Sequence, residues 1–173
     1  GNTSMLLESL LKWAQNNQNV LQIQMNVLPL ETLLEGVIDL VKDNQRREDV
    51  TIELECDKNL SVATDENIFR FIIRNLLFNA VKFSPNNSKV TIRARLKDLG
   101  LEICVIDQGN GLKVDQIEAF YSGNMQASID AVGDKSTGLG LLLCKEFAEK
   151  LDIGISIHSE ENKGTTFILN IPN

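Results

Sequence analysis

At 173 residues the chain is long enough for one domain with a full core and too short for two ordinary ones. Its 43% hydrophobic and 24% charged residues match a soluble globular protein, and no apolar run approaches the roughly 20 residues a membrane span needs. A net charge of −7 argues against a nucleic-acid surface, because phosphate backbones require clustered Lys and Arg.

Residues 5–21 carry Leu6, Leu10 and Trp13 on one helical face with Leu7, Leu11 and Ala14 beside them. That stripe is wide for a helix with nothing before it, and it favours a truncated helix that packs in a bundle or dimer over one docked on this domain. The opening GNTS, without Met, suggests a trimmed chain whose natural start is unknown. A short strand is expected over 22–27, with Pro29 as punctuation. A helix follows over 30–47 through Leu30, Leu34, Val37 and Val41. In VTIELE, Val50, Ile52 and Leu54 alternate with polar residues, as in a half-buried strand. Another short strand is expected at 61–63. Asp65 then caps a helix over 66–83 that turns Phe69, Ile72, Leu76 and Ala80 to the core. Strands follow at 89–96 and 101–107, then a long, weakly periodic stretch over 112–136. A loop of that length inside a compact domain is either functional or disordered. A helix over 138–150 and strands near 153–159 and 165–171, resembling a terminal hairpin, close the chain. This pattern predicts an α+β two-layer sandwich with a mostly antiparallel sheet covered on one face by helices. Cys56, Cys104 and Cys144 have no metal-ligand spacing and are read as buried thiols.

Four stretches carry chemistry. In RNLLFNAVKFS, Asn75, Asn79 and Lys82 lie at spacings of four and three, on one side of a helix. That can be a plain solvated face. It can also place Asn carbonyls on magnesium and a Lys on phosphate. In VIDQGNGL, Asp107 ends a strand and Gly109 and Gly111 follow. Such a sequence is common in turns, yet the carboxylate can accept from an exocyclic amine and the glycines can let a flat base approach the backbone. In STGLGLLLCKE, Gly138 and Gly140 open a helix whose N-terminal N–H groups form an anion site, with Thr137 and Leu139 in the same stretch. The fourth is GTTF, which contains Thr165.

The order of these motifs resembles the GHKL superfamily, and histidine kinases within it most closely, from about residue 63 to 172. The resemblance implies a Bergerat-type two-layer α/β sandwich over 22–173, with 1–21 the remnant of a dimerisation and histidine-phosphotransfer helix. It implies ATP and Mg as cofactors. Asn79 would then be the magnesium ligand, Lys82 a phosphate contact, Phe83 a pocket wall, Asp107 the adenine-amine acceptor and Thr165 its supporting hydroxyl. Residues 112–137 would be the ATP lid, with Lys135 its candidate phosphate cation.

The superfamily's ATP-hydrolysing branches carry a Glu four residues before the magnesium Asn. Asn75 stands there instead and cannot serve as a general base, which disfavours hydrolysis and favours phosphoryl transfer, with Asn75, Asn79 and Lys82 as the catalytic set. His158, the sole histidine, sits in a strand pattern, so the acceptor histidine is expected upstream. Departures from the family pattern are Asn110 at a commonly aliphatic position, Ser136 where Gly is frequent, and a lid without Arg. The expected partners are the chain's own phosphoacceptor domain in a homodimer and a response-regulator receiver domain, with a cytoplasmic location and any membrane contact left to other parts of the parent. The alternative is a nucleotide-sensing GHKL interaction module without effective phosphotransfer.

Overall fold

The computed structural model describes residues 22–45, 47–123 and 135–173, the side chains of 135–139 excepted. The expected helix over 5–21 therefore lies outside the described residues. In chain order the elements are β1 (Met25–Pro29), α1 (Leu30–Asn44), β2 (Thr51–Cys56), β3 (Ser61–Asp65), α2 (Glu66–Lys82), β4 (Lys89–Lys97) and β5 (Gly100–Ile106). They continue with α3 (Val114–Ser122), α4 (Lys135–Lys150), β6 (Gly154–Ser159) and β7 (Thr165–Pro172).

Strand periodicity builds the main sheet, ordered β2-β4-β5-β7-β6. One face presents Ile52, Val90, Ile92, Ile103, Val105, Phe167 and Leu169, all buried, and the helices cover it. The opposite face is polar, with the ion pairs Lys89–Glu53 at 3.3 Å and Arg93–Glu55 at 2.7 Å. Solvent screening leaves such exposed pairs little weight in stability. The apolar layer carries it instead. Phe69, Ile72 and Leu76 of α2 are at most 1% exposed, and each such side chain contributes roughly 1.5–3 kcal/mol on burial.

The α+β sandwich and the β6–β7 hairpin are as expected. One pair departs from the antiparallel rule: β2 runs parallel to β4, because β3 and α2 intervene and supply the long crossover that a parallel pair requires. Strand β1 runs through Pro29 and pairs with β3 in a separate two-stranded sheet. Proline is tolerated there because Pro29 also forms the N-cap of α1, where its missing N–H costs nothing. Helix α1 ends at Asn44, short of the expected 47, since Gln45 adopts extended backbone. The stretch over 112–136 is not wholly loop. It contains α3, and α4 begins at Lys135. Cys104 and Cys144 are buried, but Cys56 at the end of β2 is only half-buried, a correction to three buried thiols. Desolvation pushes the Cys144 thiol far above its usual range, which keeps it inert.

Candidate functional site

Helix α2 is pinned at both ends before it contributes to the site. Asp65 Oδ1 accepts the Ile68 N–H at 3.1 Å as the N-cap, and Oδ2 accepts the Gln24 N–H at 2.9 Å. At the other end the Arg47 guanidinium donates to the Val81 and Ser84 carbonyls at 3.3 and 2.6 Å, and Gln45 donates to the Phe78 carbonyl at 3.4 Å. A cation on the last carbonyls suits the negative end of a helix. The last turn of α2, with Asn79 and Ala80, and the C-cap Phe83 form one wall of an open cleft of about 210 Å³.

Asp107 follows the end of β5 and forms the cleft's inner end. Its Oδ1 accepts two backbone N–H groups, from Gly109 at 2.9 Å and from Thr165 at 3.1 Å. Its own N–H donates to the Thr165 carbonyl at 2.9 Å. Both side-chain bonds fall on Oδ1, which leaves Oδ2 for a ligand. Burial raises the Asp107 carboxyl above its ordinary range, against the opposing pull of the Gly109 and Thr165 N–H bonds.

The 107–112 loop packs on the β6–β7 turn. The Asn162 N–H donates to the Asn110 carbonyl at 2.5 Å, and the Leu112 N–H donates to Ser159 Oγ at 2.8 Å. This packing explains the glycines differently from the sequence reading. A Cβ on Gly111, at φ +76°, would run into the Glu160 carbonyl, and one on Gly164, at φ +88°, into the Asp107 carbonyl. A Cβ on Gly109 would come within 2.7 Å of the Phe83 carbonyl oxygen. Chain-to-chain approach already demands glycine at these positions, whether or not a base lies against them.

Of the expected residues, Asn79, Phe83, Asp107, Gly109, Gly111 and Thr165 line this one cleft. Asn75 does not line it. Its amide donates to the Phe71 carbonyl at 2.7 Å, and its Oδ1 sits 3.2 Å from where a Cβ of Gly140 would be, so Asn75 is turned to the contact between α2 and α4. Gly140 is buried in that contact. Lys82 is also absent from the cleft lining, and its Nζ lies 5.4 Å from the centroid of the Phe83 ring. Lys135, Thr137, Gly138 and Leu139 fall in the first turns of α4, and their side chains lie outside the described residues, as does the lid segment 124–134. His158 is exposed on β6, in register with Thr166, away from the cleft lining.

Leu112, Gln116, Leu141 and Phe167 join the lining without having been singled out. Phe167 and Leu141 belong to quoted motifs, GTTF and STGLGLLLCKE, and their apolar character was the available signal. Ser159 carried none.

The residues present fit an adenine nucleotide. The cleft has apolar walls and a few placed polar groups, as small-molecule sites do. Asp107 Oδ2 and the Asn79 amide sit in the same lining. Among the described residues no group of three or more His, Cys, Asp or Glu could hold a metal by itself. A magnesium ion here would depend on Asn79 together with ligand oxygens, which suits a cation that binds through substrate phosphates. No helix among the described residues is long and apolar enough to cross a membrane.

Comparison with known proteins agrees with the fold. The family described as histidine kinase-, DNA gyrase B-, and HSP90-like ATPase matches residues 64–173. The adaptive-response sensory kinase SasA of Synechocystis sp. is 27% identical over 169 residues, covering 96% of this chain and 44% of that protein. The sensor-like histidine kinase SenX3 of Mycobacterium tuberculosis is 29% identical over 152 residues, covering 86% of this chain and 36% of that protein. The chain thus spans less than half the length of these relatives. Among solved structures, the mycobacterial sensor histidine kinase MprB superposes with a TM-score of 0.72 at 21% identity, covering 86% of this chain and 97% of that one. Full-length ShkA in complex with AMPPNP superposes with a TM-score of 0.80 at 22% identity, covering 97% of this chain and 35% of that one.

Proposed function

Because this chain belongs to the histidine kinase-, DNA gyrase B-, and HSP90-like ATPase family, an ATP-binding family, we propose that it is the catalytic and ATP-binding domain of a two-component sensor histidine kinase. It transfers the γ-phosphoryl group of ATP to a histidine on a helical domain outside this chain. The observation that carries the reading is the cleft in which the unengaged Oδ2 of Asp107, the Thr165 hydroxyl and the Asn79 amide meet.

When bound, Mg-ATP supplies the γ-phosphoryl group and the metal charge that neutralises it. Asp107 accepts from the exocyclic amine of the base, Phe83 and Phe167 cover the ring, and the Asn79 carbonyl oxygen would ligate magnesium. Lys82, one turn further along α2, and the N-terminal turn of α4 supply positive potential at the phosphate end. Asn75 lies at the contact between α2 and α4 and offers no base for activating water, so the domain positions ATP for an external acceptor.

Residues 1–21 are read as the remnant of the dimerisation helix, and 22–173 as the catalytic domain. The partners are the parent's phosphoacceptor domain within a homodimer and a receiver domain, in the cytoplasm. SasA, SenX3 and MprB are sensory kinases by name, which supports this assembly. The test is radiolabelled ATP incubated with this chain alone and then with the parent's upstream helical segment. Acid-labile label on the added segment only, lost in Asn79→Ala without loss of fold, is expected. ATP binding without label in either arrangement would replace this reading with a nucleotide-sensing module.

A further inference from the structure

Ser159, the last residue of β6, stands beside the cleft without lining it, and its hydroxyl meets three groups of the base end. The Leu112 N–H donates to Ser159 Oγ at 2.8 Å, the Gly164 carbonyl oxygen lies at 3.1 Å, and Thr165 Oγ1 lies at 2.9 Å. A serine hydroxyl has one proton and two lone pairs. The Leu112 N–H takes one lone pair. A carbonyl can only accept, so Gly164 takes the proton. Thr165 must then donate its own proton to the second lone pair of Ser159. No other assignment satisfies all three contacts.

The consequence reaches the cleft. Thr165 is 6% exposed and lines the cleft beside Asp107, and with its proton spent on Ser159 it turns only lone pairs toward a ligand. The ionised Asp107 also offers only an acceptor at Oδ2. Two acceptors side by side suit the N–H groups of an exocyclic amine and leave a 6-oxo oxygen facing lone pairs without a donor. Resting on the ATP reading above, we infer that Ser159 is a positioning residue that sets the hydrogen-bond polarity of Thr165, and through it the preference for a 6-aminopurine over a 6-oxopurine.

Ser159 also anchors Leu112, so its loss weakens binding of any nucleotide by loosening the loop. Only the ratio of affinities isolates the polarity effect. The measurement is calorimetric titration of this chain with Mg-ATP and with Mg-inosine triphosphate, which differ only at the purine 6-position and the adjoining N1 proton. In Ser159→Ala the Thr165 hydroxyl is freed to donate, and the ATP-to-inosine ratio should narrow about fivefold, the scale of one neutral hydrogen bond. Ser159→Thr, which keeps the hydroxyl, should restore the ratio. Thr165→Val should narrow it too, and adding Ser159→Ala to that variant should change the ratio no further. Equal weakening of both nucleotides in Ser159→Ala, with the ratio intact, overturns the proposal and leaves Ser159 a structural residue. Should Ser159→Ala fail to fold in a thermal melt, Thr165→Val decides, and an unchanged ratio there overturns it. A wild-type chain that binds neither nucleotide removes the ATP reading itself, and this inference with it.

Discussion

At the end of the cleft proposed to take the base, the chain holds itself through backbone groups. Asp107 gathers the N–H groups of Gly109 and Thr165, Asn110 and Asn162 join across two turns, and Gly111 and Gly164 let carbonyls approach where no side chain fits. The end proposed to take the phosphates is built otherwise. Asn79 and Lys82 project from a helix whose own position is secured by Asp65, Arg47 and a buried apolar face, none of which depends on them. The lesson is that changes to the glycines or to the shared hydrogen bonds of the first end disturb fold and recognition together, whereas the second end can lose chemistry and keep its shape.

The largest effect should follow from adding a single methyl group at the base end. Gly164→Ala introduces a clash with the Asp107 carbonyl at a left-handed φ, and urea denaturation should show a loss of roughly 3 kcal/mol. A loss below about 1 kcal/mol would mean the turn yields easily and the contrast between the two ends is overstated. Next comes Asp107→Asn. The amide oxygen can still accept from Gly109 and Thr165, so the melting temperature should hold. Mg-ATP affinity should fall by an order of magnitude or more, since a charge-assisted bond contributes about 1.5–3 kcal/mol. A large drop in melting temperature would show that the charge holds the loops, not only the ligand.

Acidity sharpens the same point. The Asp107 carboxyl is raised by burial, so in the free chain its proton is held more tightly than in the unfolded state. Its contribution to stability is present below the unfolded pKa and lost as pH rises through the raised folded value. Nucleotide binding works in the opposite sense, because the amine requires the ionised form. ATP affinity should therefore fall as pH drops through the raised pKa, by up to about tenfold per unit, with a proton released on binding in that range. Calorimetry in buffers of different ionisation enthalpy reads the proton count, and a count of zero across the range would remove Asp107 from the amine contact. The smallest effect is expected at Arg47→Gln, which removes the guanidinium from the α2 carbonyls. Stability should fall by about 1 kcal/mol while the preference for adenine stays unchanged. A shift in base preference would show that the two ends are coupled through α2.

Much of this was legible in the chain itself. The helix over 66–83 and its Asp65 cap, the alternating strands and the order of four motifs follow from residue spacing, and Asn79, Asp107 and Thr165 arrive in one cleft as their motifs imply. Local periodicity suffices for the helix and the strands because each depends on neighbours within a few residues, whereas the meeting of Asn79, Asp107 and Thr165 was implied by the family resemblance of their motifs. The separation of Asn75 from Asn79 was not legible. Four residues place both on one helical side, but α4 packs over Asn75 and leaves Asn79 open to the cleft. Nor does spacing explain Gly111 and Gly164, whose obstructing carbonyls belong to Glu160 and Asp107, or Ser159, whose bond to Leu112 joins residues 47 positions apart. The sequence by itself determined most of the elements, α3 excepted, and the residue types that its motifs carry. The tertiary structure alone decided which polar groups meet a ligand and which are consumed holding loops together, because a hydrogen bond spends its donor on whichever partner the fold brings within 3 Å.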